Sequence, residues 1–286
     1  MPELPEVETI RLGLQKYLIG HRIEKVDVKV SKIFQGDPKN VIGAKVMSIN
    51  RVGKGLIIEL NNDYVLAIHL KLTGQIIYHG KETVDIHLSD KTGGKLPSKY
   101  THIIFTLDKG AFLYYNDLRK FGWIKIVQNS KLKVQSYFKD LGPEPPVTNS
   151  SKNNLTIKQF NNIISKSNIP IKVLLMNQKK ISGIGNIYAN EALFLAGINP
   201  KRKTKALSDK EINKLYDSII EVLKRGLKYG GSSDVNFVNA LGEDGNYQNH
   251  FLVYGRKGEK CLNCGEKVEK IQLGGRGTYF CPECQK

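Results

Sequence analysis

The chain has 286 residues, of which 40% are hydrophobic; this allows two or three folded domains and excludes a disordered chain. It carries 44 Lys and Arg against 27 Asp and Glu, a formal net charge of +17. Such an excess indicates a polyanionic partner, most commonly nucleic acid, although a basic surface can also serve solubility alone.

Two further features narrow the class of protein. No run of about 18 apolar residues occurs, and the acidic, proline-rich start is unlike a signal peptide, so we expect no membrane contact and a cytoplasmic location. The four cysteines all follow residue 260, and they are too few and too clustered for a disulfide framework.

The first part of the chain is predicted to be a helix followed by short strands. Val7, Ile10 and Leu14 recur at spacings of three and four, which predicts an amphipathic helix over residues 5–18. Turn residues separate several apolar runs between residues 22 and 128, as in a β-sandwich or barrel. These runs are KVMSIN, GLIIEL, YVLAIHL, QIIYH, HIIFTL, AFLYY and WIKIV.

A helical second part follows a linker. The stretch LGPEPPVTNSS, residues 141–151, combines prolines with small polar residues and is typical of a connection between domains. Helical periodicity then extends to about residue 229, and Ser208 with Glu211 forms a capping box before the longest helix. Residues 230–250 are polar and glycine-rich, and we expect a mobile loop there.

The segment GIGNIYANE, residues 183–191, places glycines directly before a predicted helix. Backbone N–H groups at a helix N-terminus attract phosphate, and Lys179, Lys180 and Asn186 flank this turn. The segment is therefore a candidate phosphate-binding turn, although a plain glycine-rich connection would have the same pattern.

The four cysteines form two CxxC pairs separated by sixteen residues. Each pair can offer two thiolates from one turn, so together they predict one structural Zn²⁺ with no open coordination position. The intervening segment VEKIQLGGRGTYF predicts a two-stranded hairpin with Arg276 at its tip, suited to a DNA groove or simply solvated. The predicted zinc ligands are Cys261, Cys264, Cys281 and Cys284.

The opening MPELPEVE suggests chemistry at the N-terminus. Removal of Met1 would leave Pro2 with a free amine, and a reference pKa near 8, against about 10.4 for lysine, makes it the more available nucleophile. Attack on a sugar C1′ would expel a base and permit strand cleavage by elimination, with Glu3 and Glu6 as general acid or base. The same residues could equally be a capped helix start.

Motifs over the whole chain resemble formamidopyrimidine-DNA glycosylases and occur in that family's order: MPELPEVET, RVGKG, HLKLTG, NDLRKFG, LGPEPP, GIGNIYANE, VYGRKGEKC and GGRGTYFCPECQ. The resemblance implies an α+β fold. Its expected parts are an N-terminal catalytic β-sandwich with an N-terminal helix (1–142), a helix-two-turn-helix domain (152–229), a lesion-capping loop (230–250) and a zinc-finger β-hairpin (251–286).

The resemblance also implies an activity and a partner. The expected enzyme excises oxidised purines, such as 8-oxoguanine and formamidopyrimidines, and then nicks the backbone as an AP lyase by β,δ-elimination. Its partner would be double-stranded DNA containing a damaged base, held in a cleft between the domains. We expect a monomer associated with the nucleoid.

By position, the resemblance assigns catalytic roles to five residues. Pro2 would be the Schiff-base nucleophile and Glu3 the proton donor near the sugar ring, with Glu6 as an accessory carboxylate. Lys54 would lie at the lesion phosphates and take part in β-elimination. Arg276 would hold DNA and assist δ-elimination.

Further DNA contacts are implied in the same way. Leu72, Arg119 and Phe121 match the three side chains that fill the hole left by a flipped base, the first being commonly methionine in the family. Asn186 would bind phosphate at the helix turn. His69 could serve the same task or be a hydrogen-bonded core histidine.

Three positions depart from the family pattern. Tyr100, a candidate DNA contact, stands where the family often has a histidine, and Ser167 lies near a position that often carries a phosphate-binding lysine. Val235 stands where many relatives have a basic residue in the lesion-capping loop. These departures bear on lesion preference more than on the chemistry.

Two other functions are weighed against this one. An endonuclease VIII-like glycosylase for oxidised pyrimidines is disfavoured because that sister group usually departs from PELPEVE and from the three base-replacing side chains. A noncatalytic zinc-dependent DNA-binding protein is disfavoured because Pro2, Glu3 and Lys54 are all present. If Met1 stays in place, Pro2 is an acylated amide, and we expect a folded but inactive protein.

Overall fold

The computed structural model describes residues 1–148 and 153–286. The chain divides into a first unit, Met1–Lys139 with Leu227–Gln248, and a second unit, Asp140–Gly226 with Asn249–Lys286. The end of the predicted linker, residues 149–151, and the predicted start of the helical domain at residue 152 lie outside the described residues. The domain boundaries derived from the sequence stay predictions.

The first unit consists of an N-terminal helix and two sheets. One sheet has the strand order β1-β7-β8-β6 and the other the order β2-β9-β5-β4-β3. All neighbouring strands are antiparallel except β2 and β9. The elements are α1 (Leu4–Tyr17), β1 (Ile23–Val28), β2 (Phe34–Gln35), β3 (Val46–Val52), β4 (Gly55–Leu60), β5 (Tyr64–His69), β6 (Gly74–His79), β7 (Thr101–Leu107), β8 (Phe112–Asp117), β9 (Trp123–Gln128) and α2 (Ser136–Lys139).

The core of this unit joins both sheets to α1. The apolar face of the helix, Val7, Ile10 and Leu14, is buried together with residues of both sheets such as Ile58 and Ile103. The predicted helix over residues 5–18 and the seven predicted strands are confirmed as α1 and β3 to β9. Strands β1 and β2 were not singled out from the sequence.

Most of the segment predicted to be a mobile loop, residues 230–248, belongs to the first unit and contributes to its core. Phe237 and Ala240 belong to the hydrophobic core, and the Ser233 hydroxyl donates to the Phe237 carbonyl at 2.7 Å. The segment has little regular structure because side chains, and not a strand ladder, satisfy much of its backbone. Val235 projects from it with 61% of its surface exposed.

The second unit is helical and ends in a hairpin. Its helices are α3 (Ile157–Ser165), α4 (Ile171–Leu175), α5 (Asn186–Ala196) and α6 (Asp209–Lys228), the last of which extends past the edge of the unit. The capping box predicted before α6 is confirmed, since the Glu211 carboxylate accepts from the Ser208 backbone N–H at 2.8 Å. The predicted hairpin is confirmed as β10 (Glu269–Leu273) and β11 (Arg276–Phe280).

A buried carboxylate ties α5 to the segment that leads to this hairpin. Glu191 accepts hydrogen bonds from the backbone N–H groups of Leu252, Val253 and Tyr254 at 2.8 to 2.9 Å. Burial raises the pKa of Glu191 above its ordinary value. The side chain therefore has a structural role, and it satisfies three consecutive backbone donors.

None of the helices in the described parts of the chain is long and apolar enough to cross a membrane.

Candidate active site and metal centre

The start of α1 is buried and held by a carboxylate. Pro2, Glu3 and Glu6 are all buried. The carboxylate of Glu6 accepts from the backbone N–H of Glu3 at 2.8 Å and from that of Ser232 at 2.9 Å. Glu6 therefore fixes the helix start and joins it to the segment after α6, and the alternative of a capped helix start describes part of what these residues do.

A buried ion pair connects α1 to the turn that carries Lys54. The Glu8 carboxylate lies 2.8 Å from Arg51 Nε, and Arg51 Nη1 donates to the Gly53 carbonyl at 2.9 Å. Burial alone would raise the pKa of Glu8, but the hydrogen bond from Arg11 and the charge of Arg51 outweigh it and hold that pKa below its ordinary value. The pair fixes the β3–β4 turn relative to the helix.

Lys54 lies in a buried, aromatic environment. Only 3% of its surface is exposed, and its backbone N–H donates to the Tyr137 hydroxyl at 2.9 Å. The Tyr137 ring meets the His69 ring edge-on, with centroids 4.4 Å apart. The backbone therefore places Lys54 beside the aromatic cluster of His69, Trp123 and Tyr137.

His69 is a neutral, buried ring. Its Nδ1 accepts from the Lys71 backbone N–H at 2.9 Å, so a neutral ring carries its proton on Nε2. Burial, followed by the charges of Lys71 and Lys54, lowers the pKa of His69 to about 3. The geometry favours the core-histidine alternative, and a phosphate contact would be limited to an uncharged N–H donor.

The loop that carries Arg119 and Phe121 is organised by the buried carboxylate of Asp117. That carboxylate accepts from the backbone N–H of Arg119 at 3.2 Å and from that of Gly122 at 2.8 Å. It also accepts from the Thr73 hydroxyl, and Thr73 follows Leu72. The structure thus brings together the two segments from which the three predicted base-replacing side chains project.

These side chains are available at the surface. Phe121 is 51% exposed, and the guanidinium carbon of Arg119 lies 4.8 Å from the centre of its ring. Leu72 and Tyr100 are half-buried, and the Tyr100 carbonyl accepts from the Asp117 backbone N–H at 3.0 Å. An exposed aromatic ring beside a cation is suited to stacking on bases.

A basic depression adjoins this loop. It has a volume of about 360 Å³, and Phe121 and Trp123 form part of its wall. Its positive charge suits a polyanion. The lysines that line it are Lys32, Lys71, Lys120 and Lys125.

In the second unit, the glycine-rich turn leads directly into α5. Gly185 is the N-cap residue, and the Gln178 side chain organises the turn by donating to the Ile184 carbonyl at 2.7 Å and accepting from the Gly183 backbone N–H at 3.0 Å. Asn186, the first residue of α5, accepts from Lys172 Nζ at 2.7 Å and donates to the Gly277 carbonyl at 3.1 Å. Arg276 is exposed on the same hairpin.

The four cysteines are arranged as a metal site. Their sulfur atoms all lie within 4.8 Å of one another. The Cys261 and Cys284 sulfurs are 3.8 Å apart and those of Cys264 and Cys281 are 3.5 Å apart, close to the ~3.8 Å expected around a tetrahedral zinc with bonds of about 2.3 Å. The donor set therefore fits one structural Zn²⁺.

Several supporting residues were missed from the sequence. Glu8, Arg51 and Asp117 lie inside the motifs PELPEVE, RVGKG and NDLRKFG, so membership of a motif was the available signal. Lys172 and Tyr137 carry no such signal. Of the positions that depart from the family pattern, Ser167 is half-buried and Val235 is exposed.

Comparison with known proteins agrees with this arrangement along the whole chain. The family model for the formamidopyrimidine-DNA glycosylase N-terminal domain matches residues 1–124, and that for the formamidopyrimidine-DNA glycosylase H2TH domain matches residues 141–237. The model for a zinc finger found in FPG and IleRS matches residues 258–286. A β-sandwich, an H2TH domain and this zinc finger together define a class of DNA glycosylases.

Individual relatives are similar over their full length. A formamidopyrimidine-DNA glycosylase of Streptococcus mutans is 36% identical, with all of both chains covered. A variant of Lactococcus lactis Fpg in complex with DNA containing Fapy-dG has a TM-score of 0.87 at 35% identity, again over all of both chains. The wild-type Lactococcus lactis protein, in complex with DNA containing an oxidised pyrimidine, has a TM-score of 0.86 at 35% identity over all of both chains. The chain belongs to the formamidopyrimidine-DNA glycosylase family.

Proposed function

We propose that this member of the family removes oxidised purines from duplex DNA in base-excision repair, using the N-terminal amine of Pro2 as its nucleophile. The observation that carries the proposal is the match to the family over the full length, with Pro2 and Glu3 at a buried helix start. The enzyme is a DNA glycosylase with an associated AP-lyase activity.

The chemistry follows from the amine. With Met1 removed, an amine with a reference pKa near 8 is about a tenth neutral at pH 7. Its lone pair bonds to the sugar C1′ and the bond from C1′ to the base breaks, with the departing base taking up the proton that the amine loses. The bond from C1′ to the ring oxygen then breaks to give an iminium. Glu3 donates the proton that the ring oxygen takes up. Glu3 is buried next to Pro2 at the start of α1, and this position supports the role.

Strand cleavage requires further groups. The iminium acidifies the C2′ proton, so its removal expels the 3′ phosphate, and a second elimination expels the 5′ phosphate. Lys54 is proposed to lie at the lesion phosphates in the first step and Arg276 to assist the second. Glu6 is proposed as an accessory carboxylate that places the helix start. The buried ion pair of Glu8 and Arg51 supports a fixed geometry for Pro2 and Lys54.

The remaining contacts are proposed to hold and probe the DNA. Leu72, Arg119 and Phe121 would fill the space of the flipped base, and the exposure of Phe121 supports this. Asn186 would bind a phosphate at the start of α5. His69 would contribute only an uncharged N–H donor, because its ring is buried and neutral, and Tyr100 would contact DNA from a half-buried position.

The zinc finger has a structural part in this function. The four cysteines hold one Zn²⁺, which, when bound, supplies folding free energy and leaves no coordination position for a substrate. The ion would fix the hairpin on which Arg276 lies. We propose that the enzyme acts as a cytoplasmic, nucleoid-associated monomer on double-stranded DNA containing a damaged base.

The test is cleavage of three duplexes, carrying 8-oxoguanine opposite cytosine, thymine glycol, or an abasic site. The matched control is the same protein with Met1 retained, verified by mass spectrometry, because it differs only in the acylation of Pro2. Processed enzyme is expected to cleave the 8-oxoguanine and abasic duplexes, and the control to cleave neither.

Each alternative outcome overturns a defined part of the proposal. Preference for thymine glycol would indicate an endonuclease VIII-like glycosylase. Binding to all three duplexes without cleavage would indicate a noncatalytic DNA-binding protein. Equal cleavage by the control with Met1 retained would remove Pro2 from the mechanism.

A further inference from the structure

Lys172 on α4 is a fully buried cation, with 0% of its surface exposed. Burial of an ammonium group is unfavourable unless the group is hydrogen-bonded. Its Nζ lies 2.7 Å from Asn186 Oδ1, 2.7 Å from the Thr278 hydroxyl and 3.1 Å from the Gly277 carbonyl. Lys172 thus contacts both the proposed phosphate turn and the hairpin.

The ammonium group determines the orientation of the Asn186 amide. Lysine only donates hydrogen bonds, so the amide atom that faces Nζ must be the oxygen. The nitrogen is then the amide atom that donates one of its hydrogens to the Gly277 carbonyl at 3.1 Å, the same oxygen that accepts from Lys172 Nζ. Since an amide nitrogen has two hydrogens, this orientation leaves the second as a donor at the N-terminus of α5.

The same network holds the hairpin. The Thr278 hydroxyl accepts from Lys172 and donates to the Arg276 carbonyl at 3.1 Å. At the tip, a Cβ on Gly274 would lie 2.8 Å from a methyl group of Val173, so the hairpin packs closely on α4. Residues 172 and 173 therefore fix β11 next to the helix start that would bind phosphate.

We propose that Lys172 is a positioning residue for DNA binding, which orients the Asn186 amide so that its free N–H meets a backbone phosphate. The inference rests on the proposed phosphate contact of Asn186. Lys172 is buried and acts through Asn186, and it makes no contact with DNA itself.

The experiment is a double-mutant cycle on the affinity for a duplex with a stable abasic-site analogue. Wild type is compared with Lys172→Met, Asn186→Ala and the double variant. Lys210→Met is the control for charge, because Lys210 is an exposed lysine in the first turn of α6. Zinc content and thermal unfolding are measured for every protein.

Each single change is expected to weaken the affinity about tenfold, because this corresponds to the loss of one hydrogen bond to a charged group. The double variant should bind within about threefold of Asn186→Ala, because the proposed effect of Lys172 on DNA binding passes through the amide. Lys210→Met should bind within about twofold of wild type. Lys172→Arg should not restore affinity, since a planar guanidinium cannot reproduce the three contacts.

The outcomes separate the inference from the function on which it rests. Unchanged affinity of Asn186→Ala would overturn the proposed phosphate contact. Three other outcomes would overturn the positioning role alone. The first is weak binding by Asn186→Ala with normal binding by Lys172→Met, and the second is full affinity in Lys172→Arg. The third is a double variant whose loss of affinity equals the product of the two single losses. If Lys172→Met loses its zinc, Thr278→Val replaces it in the cycle, and a loss of affinity independent of Asn186 contradicts the inference.

Discussion

The two units of the molecule hold their proposed functional groups by different means. In the first, the start of α1 and the Lys54 turn lie against one continuous hydrophobic core and are joined by a buried ion pair. In the second, the apolar cluster beside the hairpin is small and includes two of the four cysteines. The first site therefore depends on burial and charge pairing, and the second on metal and polar contacts. We expect a substitution that disrupts one site to leave the other intact.

Removal of zinc is the change with the largest expected effect. Coordination by four cysteines contributes on the order of 10 kcal/mol in small zinc domains. The Cys281→Ala variant should lose its zinc and the placement of Arg276, with affinity for damaged duplex reduced at least about a hundredfold, while the sheets of the first unit stay folded. Metal analysis, circular dichroism and binding titrations measure this, and full affinity in zinc-free protein would contradict it.

Breaking the buried ion pair should affect the first unit and leave zinc in place. Glu8→Gln leaves the Arg51 guanidinium buried without its carboxylate, which is expected to cost about 3–5 kcal/mol of unfolding free energy. The exposed pair of Lys25 and Asp27 provides the control, since Asp27→Asn should cost less than about 1 kcal/mol. Equal losses in denaturant unfolding would show that burial of the pair does not matter.

The same pair sets an expectation for acid stability. The pKa of Glu8 lies below its ordinary value of 4.5 in the folded protein, so its contribution to stability is complete above that value and is lost as pH falls through the folded pKa. Unfolding free energy measured from pH 7 to pH 3 should fall more steeply for wild type than for Glu8→Gln. Parallel curves would contradict the depressed pKa.

A smaller and local effect is expected from Asp117→Asn. An amide accepts hydrogen bonds more weakly than a carboxylate, so the loop of Arg119 and Phe121 should lose about 1–3 kcal/mol of stabilisation. Excision of 8-oxoguanine should slow about tenfold, with cleavage of an abasic site less affected. The exposed Asp90→Asn variant is the control. Equal slowing of both reactions would indicate a general loss of folding.

The smallest expected effect is that of His69 on the pH dependence of DNA binding. With a pKa of about 3, its ring is neutral throughout the range from pH 5 to pH 8. The affinity for DNA should therefore have the same pH profile in wild type and in His69→Gln, whatever its absolute value. An inflection near pH 6.5 that disappears in the variant would show that His69 is charged at neutral pH.

Local patterns predicted the elements with strong periodicity. The apolar face of α1 and the runs of β3 to β9 each have enough consecutive signal to identify the element. Strand β1 has no such apolar pattern, because only Ile23 is fully buried there and the strand register shifts between Ile23 and Lys25. Strand β2 has two residues, too few for any period.

The candidate site residues also differ in whether a local sequence pattern could predict them. Motif resemblance predicted roles for Pro2 and Lys54, but it did not predict the residues that fix their surroundings. Glu8 and Arg51 are 43 positions apart, and Lys172 and Thr278 are 106 apart. No local pattern specifies which distant polar groups meet in the folded chain, so these pairs required the structure. The segment after α6 also required the structure, because its polar composition suggested a mobile loop and gave no sign that Phe237 and Ala240 belong to the core.

The most direct test of the central claim is borohydride trapping on a duplex with 8-oxoguanine opposite cytosine, followed by mass spectrometry to locate the adduct. Borohydride reduces the iminium and fixes the enzyme to the sugar. The account predicts a covalent adduct on the amine of Pro2 in protein that lacks Met1. An adduct on a lysine, or none from protein shown to lack Met1 and to bind the duplex, would contradict it.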